Sequence, residues 1–240
     1  MKLALVLSGG GMFGAWQAGA WRTLAEVFSP DLIVGASVGS LVGYAIAGGA
    51  TPDELREFWI TGDLARMEDL SRTTSILCDR YQPKCEYATV ITDVMRLKPM
   101  IVRGPEIAPR HLYASCAVPL IVRQQRLDGR WYTDGGLLNP LPVWAAEELG
   151  ATHIVGVHAM PRFPVRTLEP CVRLFRWVAG HHPPLRKGVE LELVVPSVPL
   201  GSLRDAARWN RARSERWLEQ GAADAQPAAR NISVWNCLKR

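Results

Sequence analysis

Residues 2–14 of the chain read KLALVLSGGGMFG, and this stretch decides the fold class. The apolar run Lys2–Leu7 ends directly at a serine and three glycines, which predicts a buried strand followed by a tight turn. From Gly14 to Val27, apolar residues recur at spacings of three and four, as they do on one face of a helix. A strand that turns through glycines into a helix is typical of the first unit of an α/β fold.

The same alternation continues along the chain. Residues 32–34 form a second apolar run, and the small residues 38–47 predict a second helix. The order strand, helix, strand, helix predicts a mainly parallel sheet. Residues 62–86 are polar and irregular, which predicts a loop or a lid over a site. Further predicted elements are helices from Thr51, at 142–149 and from Ser202 to Gly221, and strands at 87–94, 100–102, 121–127, 130–133, 153–158 and 189–195.

Length and composition narrow the class of protein. The 240 residues are 48% hydrophobic, which predicts one globular domain over 1–240, and 21% charged, which excludes a disordered chain. The net charge of +5 favours anionic partners. The sequence has no long basic run, however, so it does not predict nucleic-acid binding. The first apolar run is too short for a signal peptide and no run matches a membrane span. We therefore expect a cytoplasmic protein, with peripheral contact to a membrane left open.

The cysteines argue against a metal centre. Five cysteines stand at irregular spacings, and none forms a CxxC pair. Such pairs are typical of structural zinc sites and of dithiol redox centres. The sequence therefore predicts reduced, scattered thiols and neither a zinc site nor a dithiol redox centre. We expect Cys116 to be a small buried residue.

A GxSxG motif occupies residues 35–39, which read GASVG. It stands between the second predicted strand and the second predicted helix, which is the context of a nucleophile elbow. The sharp turn around Ser37 requires small neighbours, here Gly35 and Gly39. The following helix would direct its N-terminal dipole at developing negative charge. The motif therefore predicts Ser37 as a nucleophile.

The glycine turn GGGMFG, residues 9–14, is the second motif. Gly9, Gly10 and Gly11 would expose consecutive backbone N–H groups, which can hold a phosphate or an ester oxyanion. With Gly14 the spacing also fits the dinucleotide pattern GxGxxG. That pattern needs an acidic residue at the end of the second strand, whereas Asp31 precedes it. The missing acid counts against a nucleotide.

A base for the serine is the remaining requirement. Asp134 stands on the glycine-rich turn formed with Gly135 and Gly136, and it could take the proton directly. A histidine is the alternative, because the order Ser37, Asp134, His158 is that of an α/β-hydrolase triad. Those enzymes, however, usually have several strands before the elbow, and here only one precedes the strand that leads to it. The other histidines are His111, His153, His181 and His182.

Together, residues 9–14, 35–39, 114–119 (ASCAVP) and 134–140 (DGGLLNP) resemble the patatin-like phospholipase family in order and rough spacing. The resemblance implies a three-layer α/β/α fold with a mainly parallel central sheet. It also implies a Ser37–Asp134 dyad without histidine, an oxyanion turn at Gly9–Gly11, and hydrolysis of lipid acyl esters through an acyl-enzyme with no cofactor. One departure is Phe13, since members often carry Arg or Lys there.

Three functions follow as hypotheses. The first is a lipid acyl hydrolase that acts at or near membrane surfaces. The second is an esterase with a Ser–His–Asp triad. The third is a non-catalytic protein that binds a phosphate or a lipid with the glycine turn. The first is preferred because the motif order supports it.

Overall fold

The computed structural model describes residues 1–63, 69–162, 170, 174 and 184–238. The strands are β1 (Leu3–Leu7), β2 (Leu32–Ala36), β3 (Glu86–Asp93), β4 (Lys98–Arg103), β5 (Gln125–Leu127), β6 (Arg130–Thr133), β7 (His153–Val157) and β8 (Glu190–Val194). The helices are α1 (Gly14–Leu24), α2 (Val38–Ala47), α3 (Pro52–Thr61), α4 (Leu70–Arg80), α5 (Pro109–Ser115), α6 (Val143–Glu148), α7 (Leu203–Ala207), α8 (Arg211–Asp224) and α9 (Gln226–Leu238). Within those ranges, none of the helices combines the length and the apolar character needed to cross a bilayer.

The eight strands found in the described residues belong to one sheet. Their order is β5-β6-β3-β2-β1-β7-β8, and β4 pairs with β3. The five strands β3, β2, β1, β7 and β8 run parallel, whereas β4, β5 and β6 form antiparallel pairs. The predicted mainly parallel sheet is confirmed, with an antiparallel part at one end.

Helices cover both faces of this sheet. On one face α1–α5, α8 and α9 pack around Leu5, Leu7 and Ile33. On the other face α6 packs against Ala4 and Val6. Alternate residues of β1 therefore enter opposite cores, which is why this strand is a continuous apolar run. The predicted three-layer α/β/α sandwich is confirmed.

The ends of β2 and β6 meet beside β3. Ala36, the last residue of β2, pairs with Val90, and Thr133, the last residue of β6, pairs with Thr92. Strand β4 pairs with the other side of β3 at Thr92. Strand β6 therefore pairs with the same side of β3 as β2 does, and it lies in line with β2. β2 is parallel and β6 antiparallel to β3, so they point toward each other and end about 7 Å apart. The two residues that follow these strands therefore leave the sheet at the same place.

The prediction of a loop or lid over 62–86 is wrong for residues 70–80, which form helix α4. Asp69 caps this helix by accepting the N–H of Arg72 at 3.2 Å. The helix buries Leu70, Thr73, Thr74, Leu77 and Cys78. These positions have helical spacing, but threonines among them conceal the apolar pattern in the sequence.

The last helix predicted, over 202–221, is also corrected. The structure has two helices there, because the chain turns between α7 and α8 and starts again at Asn210. The Asn210 side chain accepts the N–H of Arg213 at 3.0 Å and so provides a new N-cap. Helix α9 was not predicted.

Candidate functional site

Ser37 lies in the connection between β2 and α2. Its φ of 54° and ψ of −132° fall in a region that residues with a side chain rarely adopt. The side chain is buried, with 7% of the residue exposed. A strained serine between a strand and a helix is the arrangement of a nucleophile elbow.

Two glycines allow this turn because backbone carbonyl oxygens lie very close to them. A Cβ on Gly35 would overlap the carbonyl oxygen of Gly39. A Cβ on Gly39 would in turn overlap the carbonyl oxygen of Leu7, the last residue of β1. Both positions therefore accept only glycine, which gives the small residues of the motif a steric reason.

The glycine turn connects β1 to α1 through a short 3-10 helix over 11–13. Gly11 has a φ of 57°, and a Cβ there would overlap the carbonyl oxygen of Ala206 in α7. On the other side, Gln17 of α1 donates its Nε2–H to the carbonyl of Ser8 at 2.7 Å. The turn is thus held between α1 and α7.

The backbone N–H groups of the turn differ in their partners. Gly9 donates its N–H to the carbonyl of Pro140 at 3.0 Å, and Gly14 donates back to Gly11 within the turn. The N–H groups of Gly10 and Gly11 have no acceptor among the residues that the structure describes. Of the predicted oxyanion donors, these two are the ones available to a substrate.

Asp134 directly follows β6 and is also buried, with 6% exposed. Its N–H donates to the carbonyl of Ala117 at 3.1 Å, and its carbonyl accepts the hydroxyl of Thr92 at 2.8 Å. Its Oδ1 accepts the N–H of Gly136 at 2.8 Å. A Cβ on Gly135 would overlap the carbonyl of Val90, so the turn lies flat against β3. Both backbone and carboxylate are therefore fixed in orientation.

Gly9 connects the serine to the aspartate turn. A Cβ built on Gly9 would lie 3.2 Å from the Cβ of Ser37 and 3.9 Å from the Cα of Gly136. A Cβ built on Gly136 would lie 3.2 Å from Oδ1 of Asp134. The fold thus brings together the three motifs that lie far apart in the sequence.

Ser115, at the end of α5, joins the two turns. Its hydroxyl accepts the N–H of Ser37 at 3.0 Å and donates to the carbonyl of Val90 at 2.7 Å. Its own carbonyl accepts the N–H of Gly135 at 3.1 Å. Sequence reasoning placed Ser115 only within the ASCAVP stretch and missed this contact. No local signal reveals it, since the partners are distant in the chain.

Cys116 is buried next to these groups. Burial, with a smaller contribution from the negative charge of Asp134, raises the pKa of its thiol. The thiol therefore stays protonated at neutral pH, which disfavours a second nucleophile. This agrees with the predicted role as a small buried residue.

Two of the histidines flank β7, one at each end of the strand. His153 starts β7 and is level with Leu3, at the end of the parallel strands away from Ser37. His158 follows β7 at the same end as Ser37, but β1 lies between β7 and β2. Its backbone N–H donates to Val194 at 2.9 Å.

The remaining histidines divide between α5 and a part of the chain that is not described. In the first turn of α5, Nδ1 of His111 accepts the N–H of Ala108 at 3.0 Å, which satisfies a helix-end donor. His181 and His182 lie outside the described residues.

Phe13 occupies the position where a basic residue was expected from the resemblance. Its ring is buried and stands edge-on to Trp217 of α8, with 5.1 Å between the ring centroids. The side chain therefore belongs to the core between the glycine turn and α8. It adds no charge to the site.

The chain is 30% identical to uncharacterized NTE family proteins of Mycobacterium tuberculosis and Mycobacterium bovis over 197 residues. The match covers 71% of this chain and 53% of each relative, so the chain spans about half the length of these relatives.

Among solved structures, the fold is similar to that of VipD from Legionella pneumophila. The TM-score is 0.59 at 13% identity, over 96% of this chain and 67% of VipD. The family model described as patatin-like phospholipase matches residues 5–100 and 105–147, a range that contains the glycine turn, Ser37 and Asp134. The chain therefore belongs to the patatin-like phospholipase family.

Proposed function

We propose that this protein hydrolyses lipid acyl esters with Ser37 as nucleophile and Asp134 as its only base. The proposal rests on one observation. Strands β2 and β6 end next to each other beside β3, so Ser37 and Asp134, which follow them, lie at the same place. Membership of the patatin-like phospholipase family supports a lipid ester as the substrate class.

In the first step, Asp134 takes the proton of the Ser37 hydroxyl as Oγ attacks the ester carbonyl. The carbonyl oxygen becomes an oxyanion, and the N–H groups of Gly10 and Gly11 donate to it. Collapse expels the alcohol, which receives the proton from Asp134, and leaves an acyl-enzyme on Oγ. Asp134 then activates water, which releases the fatty acid and restores the serine.

Buried, pre-oriented groups favour this chemistry. The bond from Gly136 to Oδ1 of Asp134 and the bond from Ser37 to Ser115 fix both partners before the substrate arrives. Fixed groups need no reorganisation in the transition state.

Turnover of a short p-nitrophenyl ester by three variants tests the dyad. We expect Ser37→Ala and Asp134→Asn each to reduce kcat by roughly a thousandfold or more. His158→Gln should stay within about threefold of the parent protein, because β1 separates its strand from β2. Near-normal turnover of either dyad variant would refute the proposal, and a large loss in His158→Gln would favour the triad esterase. Analysis of the products formed from a mixed lipid extract then identifies the headgroup and the chain length.

A further inference from the structure

We propose that the edge of the sheet beside Asp134 docks on an anionic phospholipid bilayer. The docking rim consists of the exposed apolar residues Met95, Leu97, Leu120, Ile121 and Trp131. This inference rests on the proposed function, because it names the surface from which the site would take its lipid.

The rim is tied to the candidate site on both sides. Met95 lies in the turn that continues β3 beyond the level of Ser37, and the neighbouring Val94 donates its N–H to the carbonyl of Trp131 at 2.9 Å. Trp131 precedes Asp134 in the same strand segment.

Leu120 and Ile121 approach from the other side. They follow Ala117, whose carbonyl accepts the N–H of Asp134 at 3.1 Å. Val118 holds their turn, since its carbonyl accepts the N–H of Ile121 at 3.2 Å. The apolar side chains therefore flank the place where an ester would be cleaved.

The exposure of these side chains is unusual for their type. Leu120 is fully exposed, Met95 is 81% exposed and Ile121 is 66% exposed. Leu120 also has a φ of 68°, which is rare for a bulky residue. Large apolar groups grouped at one edge mark an interaction surface, whereas single ones do not.

Charge decides which partner fits. The exposed cations Arg96, Lys98, Arg123, Arg126 and Arg130 stand in the same segments, and none forms an ion pair with another described residue. The exposed acid between them is Asp128. Stable binding to an anionic membrane needs two contributions, apolar side chains that insert and cations that attract the lipid headgroups. The docking rim has both.

The opposite edge of the sheet provides a contrast. Just past the end of β8, Val195 and Val198 are also exposed, at 42% and 56%. β8 is separated from β3 by β2, β1 and β7. That edge carries exposed apolar groups far from Asp134, so it serves as a control for the apolar substitutions.

Vesicle co-sedimentation tests the proposal. All proteins carry Ser37→Ala so that lipid is bound and not consumed, and the vesicles are either phosphatidylcholine alone or an equal mixture with phosphatidylglycerol. We expect Leu120→Gly with Ile121→Ser to weaken binding to the mixed vesicles at least tenfold, and Val195→Ser with Val198→Ser to leave it unchanged. Glycine suits the φ of Leu120, so unfolding would not explain the loss. Arg123→Gln with Arg126→Gln should weaken binding to the mixed vesicles by about fivefold per arginine.

Three results would overturn the docking rim. The first is equal binding by the rim variant and the β8 variant, and the second is no binding by the parent protein. The third is a parent dimer that the rim variant dissociates, because the rim would then be a contact between two copies of the chain. Turnover of a soluble ester, measured with Ser37 intact, should be unaffected by the rim variant. If the parent protein does not turn over the soluble ester, the proposed function is refuted. The vesicle experiment then still decides whether the docking rim binds an anionic bilayer.

Discussion

At the scale of single residues, Ser115 is the contact that sequence reasoning missed. Ser37 could be predicted because its strained turn imposes glycines on its immediate neighbours, which leaves a local pattern. The hydroxyl of Ser115 acts on the N–H of Ser37 across 78 positions of the chain, so no local pattern records it. We regard Ser115 as a positioning residue, since it contacts the backbone of Ser37 and not the reacting atoms.

Ser115→Ala should lower kcat by about ten- to a hundredfold with little change in KM, because a buried N–H loses its partner and Ser37 shifts. Steady-state kinetics and urea unfolding measure the effect. Thr23→Val is the matched control, since Thr23 also donates a buried hydroxyl bond, to Ala222 at 2.9 Å, far from the site. Each variant should lose about 1–3 kcal/mol of unfolding free energy. An equal fall of kcat in both would show that Ser115 acts only through stability.

At the scale of elements, the glycine turn and α7 depend on each other. Gly11→Ala introduces a Cβ at positive φ and into the carbonyl of Ala206. Gly104→Ala introduces only the strained φ, of 71°, because no atom lies within 4 Å of its Cβ. We expect Gly104→Ala to cost about 1 kcal/mol in urea unfolding and Gly11→Ala at least about 2 kcal/mol, with a loss of turnover only in the latter. Equal costs would contradict the packing of α7 on the turn.

The start of α5 makes the stability of the fold sensitive to pH. Burial, and then the charge of Arg110, lowers the pKa of His111, while Asp128 and Glu106 act in the opposite direction. In the unfolded chain this imidazole has a pKa of about 6.5. As the pH falls below that value, the unfolded chain binds a proton that the folded chain resists, so the free energy of unfolding falls.

His111→Gln should remove this pH dependence. A glutamine at the third helical position can still accept the N–H of Ala108, as in a capping box, but it does not titrate. Urea unfolding at pH 7.5 and pH 5.5 should show a larger loss of stability in the parent protein than in the variant. Identical losses would mean that other groups cause the acid sensitivity.

The predicted elements divide by the clarity of their patterns. The opening units β1 to α2 were predictable because each apolar run is continuous or strictly periodic. Helix α4 was not, since Thr73 and Thr74 occupy two of its buried positions. The break between α7 and α8 depends on the cap at Asn210, which competes with the helical pattern on both sides.

At the scale of the whole molecule, the parallel half of the sheet could be predicted and the antiparallel end could not. Alternating strands and helices specify parallel neighbours through right-handed crossovers. The position of β6 in line with β2 depends on β4 filling the far side of β3, and a strand pattern alone does not encode that pairing. This is why the glycine-rich turn at Asp134 was only a weak sign of a base in the sequence, and the family resemblance was needed to prefer it to a histidine.

Helices α1 and α8 are in close contact, and α1 begins at the end of the glycine turn. A Cβ on Gly221 would overlap the carbonyl of Trp16, and a Cβ on Gly19 would overlap that of Leu218. Gly221→Ala should therefore destabilise the protein by about 2 kcal/mol and lower Tm by about 4–8 °C in thermal unfolding. An uncrowded helical glycine would gain about 1 kcal/mol on the same change, so a rise in Tm would contradict the close approach.

The most direct test of the account is the rate and position of labelling by a fluorophosphonate, which reacts with activated serines. Peptide mapping by mass spectrometry should place the adduct on Ser37. Ser40→Ala serves as a control, because this neighbouring hydroxyl donates to the carbonyl of Ser37 at 2.6 Å and should not be labelled. In folded Asp134→Asn, labelling should slow by at least about a hundredfold, as expected when a serine loses its base. An adduct at another residue, or an unchanged rate in Asp134→Asn, would contradict the Ser37–Asp134 dyad.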